Sequence, residues 1–185
     1  NAQGNTITVN QEIREKSNIR PKGEQIAEGD LAFPGGQLLN PAGIGFLQGL
    51  GITSIEVVEK PRVGLVVTGN ELVQAGEELK EGQIYESNSS TLLAALNEAG
   101  IMEVEKVYVP DNLETTVRSI EELLKKKDLL LLSGGISVGE YDFVGKALNE
   151  LGVEEIFYKV KQKPGKPLFF GKTDNCAVFA LPGNP

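Results

Sequence analysis

Four short stretches put polar or charged side chains where an apolar run breaks off. They are Thr68-Gly69-Asn70-Glu71, Pro110-Asp111, Ser133-Gly134-Gly135 with its continuation to Asp142, and Lys163-Pro164-Gly165-Lys166-Pro167. Glu71, Asp111, Glu140 and Asp142 are carboxylates able to hold magnesium or to position a reacting group. Lys163 and Lys166 are ammonium groups suited to a phosphate or an oxyanion. Each also has a plain structural reading: Glu71 as a turn residue, Asp111 and Asp142 as helix caps, the lysines as exposed charges. Chemistry follows only if a scaffold brings the stretches to a common rim.

Residues 129–142, LLLLSGGISVGEYD, indicate that scaffold. The leucine run ending at Ser133 is too short for a helix and suits a strand buried on both faces of a parallel sheet. Gly134 and Gly135 permit a tight turn and close backbone approach, Gly139 adds a second flexible point, and Asp142 caps the helix pattern Phe143, Ala147, Leu148, Leu151. In open α/β sheets, ligands bind beyond a strand's carboxyl end and before a helix N-terminus, where exposed N–H groups and the helix dipole favour an anion. A simple glycine turn is the other reading of the same residues.

Composition narrows the chemistry. A chain of 185 residues, 40% hydrophobic and 24% charged, has room for one good core and a smaller appendage, as in an ordinary soluble protein. No apolar run approaches the roughly 20 residues of a membrane helix, and Asn1 does not open a basic region followed by an apolar stretch, so neither membrane insertion nor secretion is expected. Cys176 is the only cysteine and cannot form an internal disulfide, which fits a reduced, cytoplasmic setting. The absence of histidine excludes Ser-His-Asp hydrolysis, histidine-ligated zinc and histidine acid–base catalysis within this chain. Any metal is then a hard ion held by oxygens, magnesium above all. A net charge of −8 argues against nucleic acid as a partner.

The elements that must position these residues change character along the chain. Residues 1–9 read as the end of a hairpin, with a Gly-Asn turn, alternating Ile7 and Val9, and a partner strand before Asn1. Residues 18–39 are rich in Gly, Pro and charge, and their short apolar groups predict small turns and strands. Asn40 caps a helix with Pro41 at its first position, carrying Ile44, Leu47 and Leu50 and ending at Gly51. Residues 1–60 are thus expected to form a partial β-rich domain with one helix, and Pro61 marks a boundary. From there strand and helix alternate. Strands are expected at 63–68, 104–109, 129–133 and 156–160. Helices follow Asn88 or Ser89, Asn112 and Asp142, and a hairpin spans 168–181. Residues 61–185 therefore predict an α/β domain, a mostly parallel sheet with helices on both faces.

Taken together, TGNEL at 68–72, SGGISVGEYD at 133–142, KPGKP at 163–167 and LPGNP at 181–185 resemble the MoeA family of molybdenum cofactor synthesis, to which the C-terminal domain of gephyrin is related. The Ser-Val-Gly-Glu-Tyr-Asp run favours this family over the pterin adenylyltransferases and the CinA group, which share the sheet domain. The resemblance implies a transferase that inserts molybdenum from molybdate into adenylylated molybdopterin and releases adenylate, with magnesium as cofactor. It implies catalytic roles for Glu71, Asp111, Asp142, Lys163 and Lys166, and magnesium ligation by Glu71, Asp111 and Asp142. It also implies ligand contacts from Thr68, Gly69, Ser133, Gly134, Gly135, Ser137, Gly139, Pro164 and Gly165. A homodimer is expected, since family members form dimers. Gln25 departs from the pattern, standing where the family often has Asp, so any charge role there is lost. The family also has regions before Asn1 and after the LPGNP turn. The expectation is of a central fragment, inactive by itself. A gephyrin-like partner-binding scaffold and a CinA-like magnesium-dependent nucleotide pyrophosphatase are the alternatives.

Overall fold

The computed structural model describes residues 2–136 and 142–184, in two units, Asn1–Val57 and Val58–Pro185. In the first, β1 (Ala2–Gln3) pairs antiparallel with β2 (Thr6–Ile7) around Gly4 and Asn5. The partner of Thr6 and Ile7 is therefore Ala2–Gln3, not a strand before Asn1, because a two-residue loop pairs the residues that flank it. Helix α1 (Pro41–Gly49) starts as the sequence predicts, with the Gly43 N–H donating to Asn40 Oδ1 at 2.8 Å and Pro41 at the first position. Between Asn18 and Leu39 the chain makes turns and bends but no strand. Short apolar groups there are separated by Gly and Pro and gain no pairing partner. The β content expected of residues 1–60 is thus confined, among the described residues of this unit, to one short hairpin.

The second unit runs β3 (Val63–Thr68), β4 (Leu72–Val73), β5 (Ile84–Tyr85), α2 (Asn88–Glu98), β6 (Val104–Val109), α3 (Leu113–Leu124), β7 (Leu129–Ser133), α4 (Phe143–Glu150), β8 (Glu154–Tyr158), β9 (Phe169–Lys172) and β10 (Ala177–Leu181). A six-stranded sheet has the order β6-β3-β7-β10-β9-β8. The pairings β6 with β3, β3 with β7 and β7 with β10 are parallel, whereas β9 pairs antiparallel with both β10 and β8. The sheet is mostly parallel, as expected. Its core follows from the period-2 alternation of strand side chains. Val66, Leu130 and Leu132 point to the face covered by Ile120 and Leu123 of α3 and by Val144, Ala147 and Leu148 of α4. Val63, Leu65, Val67 and Leu131 point to the opposite face, against Leu92, Leu93 and Leu96 of α2. That is why β3 and β7 are apolar at successive positions.

Two local expectations are corrected, and one element is added. Neither Asn88 nor Ser89 caps α2; Ser87 holds the cap position without a side-chain bond, and the carboxylate of Glu86 receives the Ser89 N–H at 2.7 Å. The strand expected at 156–160 lies at Glu154–Tyr158, because Gly152 at φ +69° ends the preceding turn early and Lys159 at φ +70° leaves the extended region. Finally, β4 and β5 form a small parallel pair not foreseen in the sequence, since two-residue strands carry no readable period.

Candidate functional site

The carboxyl ends of β3, β6 and β7 and the turn after β10 enclose a cleft of about 550 Å³. Thr68, Gly69, Glu71, Asp111, Ser133, Gly134 and Gly135 all line it, so three of the four stretches singled out in the sequence do share a rim. Gly69 takes φ +143°, and a Cβ there would stand 3.0 Å from Glu71 Oε2, so glycine lets the Glu71 side chain lie back over the turn. Asp111 is clamped rather than loose. Its Oδ2 accepts the Asn70 N–H at 3.0 Å while its own N–H donates to Asn70 Oδ1 at 3.2 Å, which locks the ends of β3 and β6 together.

Gly134 and Gly135, at φ +84° and +64°, lie against Thr68, leaving no space for a side chain: a Cβ on Gly134 would collide with the Thr68 carbonyl oxygen, and one on Gly135 with Thr68 Oγ1. The Thr68 hydroxyl is buried and has no hydrogen-bond partner among the described residues. A buried hydroxyl beside a glycine turn at the edge of a cleft is suited to a ligand oxygen. The Gly134 N–H donates to the Leu181 carbonyl at 3.2 Å, tying the end of β7 to that of β10.

A second cavity, of about 470 Å³, is lined by Pro164 and Gly165 together with Leu92, Leu168, Leu181 and Pro182. Its apolar lining contrasts with the carboxylates of the first, and Ser87, Asn88 and Ser133 border both. Lys163 and Lys166 are exposed on the turn that carries Pro164 and Gly165 and line neither cavity.

Asp142 also stands apart from both linings. It caps α4, its Oδ1 accepting the Gly145 N–H at 2.7 Å, and its charge acts instead on Tyr158, whose phenol is held above its usual range first by burial and then by Asp142 and Glu155. Ser137 and Gly139 lie outside the described residues. Among the described residues no three histidine, cysteine or carboxylate groups gather as a metal site. Glu71 and Asp111 alone share the first cleft with Glu86.

Sequence reasoning missed Glu86, Ser87 and Asn88 as cleft residues. The run Glu86-Ser87-Asn88-Ser89 before a helical pattern reads as capping chemistry, and nothing in it indicates which other strand ends lie opposite. Gly183 and Asn184 also line the first cleft, where the sequence marked them only as part of a rigid turn.

A family model described as a probable molybdopterin binding domain matches residues 64–185. A molybdopterin molybdenumtransferase of Haemophilus influenzae is 36% identical over 180 residues, which is 97% of this chain and 44% of that protein. One of Staphylococcus aureus is 30% identical over 184 residues, covering 97% of this chain and 43% of the relative. Among solved structures, a molybdopterin biosynthesis MoeA protein of Pyrococcus horikoshii superposes with a TM-score of 0.70 at 34% identity, over 88% of this chain and 40% of that one. The chain therefore spans less than half the length of these relatives. No helix among the described residues is long and apolar enough to cross a membrane.

Proposed function

Because this chain belongs to the family of probable molybdopterin binding domains, and so to molybdenum cofactor biosynthesis, we propose that it forms the ligand-binding α/β part of a transferase that inserts molybdenum from molybdate into adenylylated molybdopterin, with release of adenylate. The observation that carries this reading is the cleft in which Thr68, Gly69, Glu71, Asp111, Ser133, Gly134 and Gly135 meet at the carboxyl ends of parallel strands. In it, Thr68 and Ser133 supply hydroxyls to ligand oxygens and the Gly134-Gly135 turn lets the backbone come close. Lys163 and Lys166, on the neighbouring turn with Pro164 and Gly165, offset phosphate or oxyanion charge. Ser137 and Gly139 belong to the same ligand-binding loop in this reading. Asp142 acts through its charge as well as through its cap.

Magnesium fits the residues present as a partly protein-held ion. Glu71 and Asp111 share one cleft, while Asp142 is engaged at the start of α4. Magnesium commonly completes its coordination with water and substrate phosphate, so two carboxylates suffice. When bound it would supply positive charge to phosphate oxygens. A homodimer working in the cytoplasm completes the proposal.

The test is calorimetry of magnesium with the chain alone and in the presence of AMP. Affinity should rise when the nucleotide is present, and equal affinity would remove the shared-ligand argument. Molybdenum transfer from molybdate to adenylylated molybdopterin, measured in a protein with the relatives' full length, tests the reaction itself.

A further inference from the structure

Asn88 stands on the wall between the two cavities and joins three segments that build them. Its Nδ2 donates to Ser133 Oγ at 3.2 Å, at the end of β7, and to the Gly183 carbonyl at 2.8 Å, in the turn that follows β10. Both amide hydrogens are thereby used. The α2 N-terminus that carries Asn88 is itself held by Glu86, a buried carboxylate that accepts the Ser89 N–H at 2.7 Å and the Ser89 hydroxyl at 2.5 Å.

From this geometry we propose that Asn88 is a positioning residue for the ligand site, acting through Ser133. A serine hydroxyl has one hydrogen and two acceptor positions. Because Asn88 is a donor in this contact, Ser133 Oγ is the acceptor, and its single hydrogen is left to point elsewhere. Ser133 is buried and lines the carboxylate cleft, so that hydrogen serves as a fixed donor to an anionic ligand oxygen there. The bond to Gly183 performs the second task. It pins the 182–184 turn, which borders both cavities, so that they behave as one two-lobed site. The inference rests on the proposed nucleotide-binding reading for its ligand, but the strut itself exists without one.

Two measurements on the 185-residue chain test it. The first needs no ligand: amide hydrogen exchange at Gly134, whose N–H donates to the Leu181 carbonyl just before the pinned turn, should quicken in N88A relative to the unsubstituted chain, and unchanged exchange would overturn the strut. The second is AMP binding by calorimetry to the unsubstituted chain, N88A, S133A and the double variant. N88A should weaken binding roughly 3–10-fold, the worth of one neutral hydrogen bond. The double variant should lose less than the two single losses combined, since both substitutions remove the same Asn88–Ser133 contact. Additive losses would overturn the positioning role. N88D gives the sharpest contrast, because a carboxylate accepts the Ser133 hydrogen instead of leaving it free and adds negative charge. Its binding should fall further than that of N88A and recover in part at high salt. If the unsubstituted chain binds no AMP, the nucleotide reading fails and hydrogen exchange alone decides the strut.

Discussion

Asp142 has one role that the structure shows and one that is proposed, and substitution separates them. Its bond from the Gly145 N–H is a helix cap, and replacing such a residue by Ala costs about 0.5–2 kcal/mol. Asn keeps the capping oxygen and loses the charge. We therefore expect D142A to lower the melting temperature and D142N to melt like the unsubstituted chain, by circular dichroism. In a full-length protein, D142N should also lose molybdenum transfer; full activity in D142N would leave Asp142 a cap alone. Cys176 gives a second test at this scale. Burial first, and then the nearby charge of Asp128, push its thiol up to about 11. A thiol pKa raised on folding adds stability that is fully present below the unfolded value near 9 and is lost as pH rises towards 11. The raised pKa leaves little thiolate at neutral pH, and burial shields the sulfur as well. Cys176 should accordingly resist a thiol reagent at pH 8 and react rapidly once the chain is unfolded in urea.

Among the elements, α2 is the one whose start bears on the site. Its first turn has no Ser or Thr capping bond and relies on Glu86, which is only 8% exposed. E86A would orphan the buried Ser89 N–H and hydroxyl together, and we expect a loss of about 1–3 kcal/mol in urea unfolding. E86Q, which still presents one acceptor oxygen, should lose less. A distinct cap provides a comparison: Asn112 accepts the Thr115 N–H at 3.0 Å at the exposed start of α3 and lines neither cavity itself, although it follows Asp111, so N112A should lower stability while weakening AMP binding less than N88A.

Across the whole molecule, the two units differ in how much they bury. Among the described residues of 1–57 only Gly43 and Leu47 are buried, and Ile7, Ile13, Ile19, Leu31 and Leu38 are exposed. Residues 58–185 contain both faces of the sheet core. Residues 58–185 expressed alone should thus show a single cooperative thermal transition, whereas 1–57 alone should show none, because so little apolar surface cannot offset the chain entropy of ordering. The same exposed side chains favour self-association, which sedimentation velocity over a range of concentrations would detect as the expected dimer.

Strands β3 and β7 and helices α1, α3 and α4 were legible because their signals are local. Val63 to Thr68 and the leucine run have the length and continuity of doubly covered strands, and Asn40, Asn112 and Asp142 each precede a helical period. The Gly134-Gly135 turn was legible for a similar reason, since it follows directly from the strand before it. Long-range pairing decided the rest. The sequence does not record that β10 lies between β7 and β9, so it could not show that the Pro182 to Asn184 turn comes beside Ser133, or that Asn88 bridges them. Nor could it separate Asp142, turned to α4 and Tyr158, from Glu71 and Asp111 in the cleft, because spacing along the chain does not say which carboxylates after a strand face the same cleft. Sequence by itself determined which side chains stand at strand ends, through periodicity and turn chemistry. Only the tertiary structure decided which of those ends meet, because strand order is set by contacts between residues far apart in the chain.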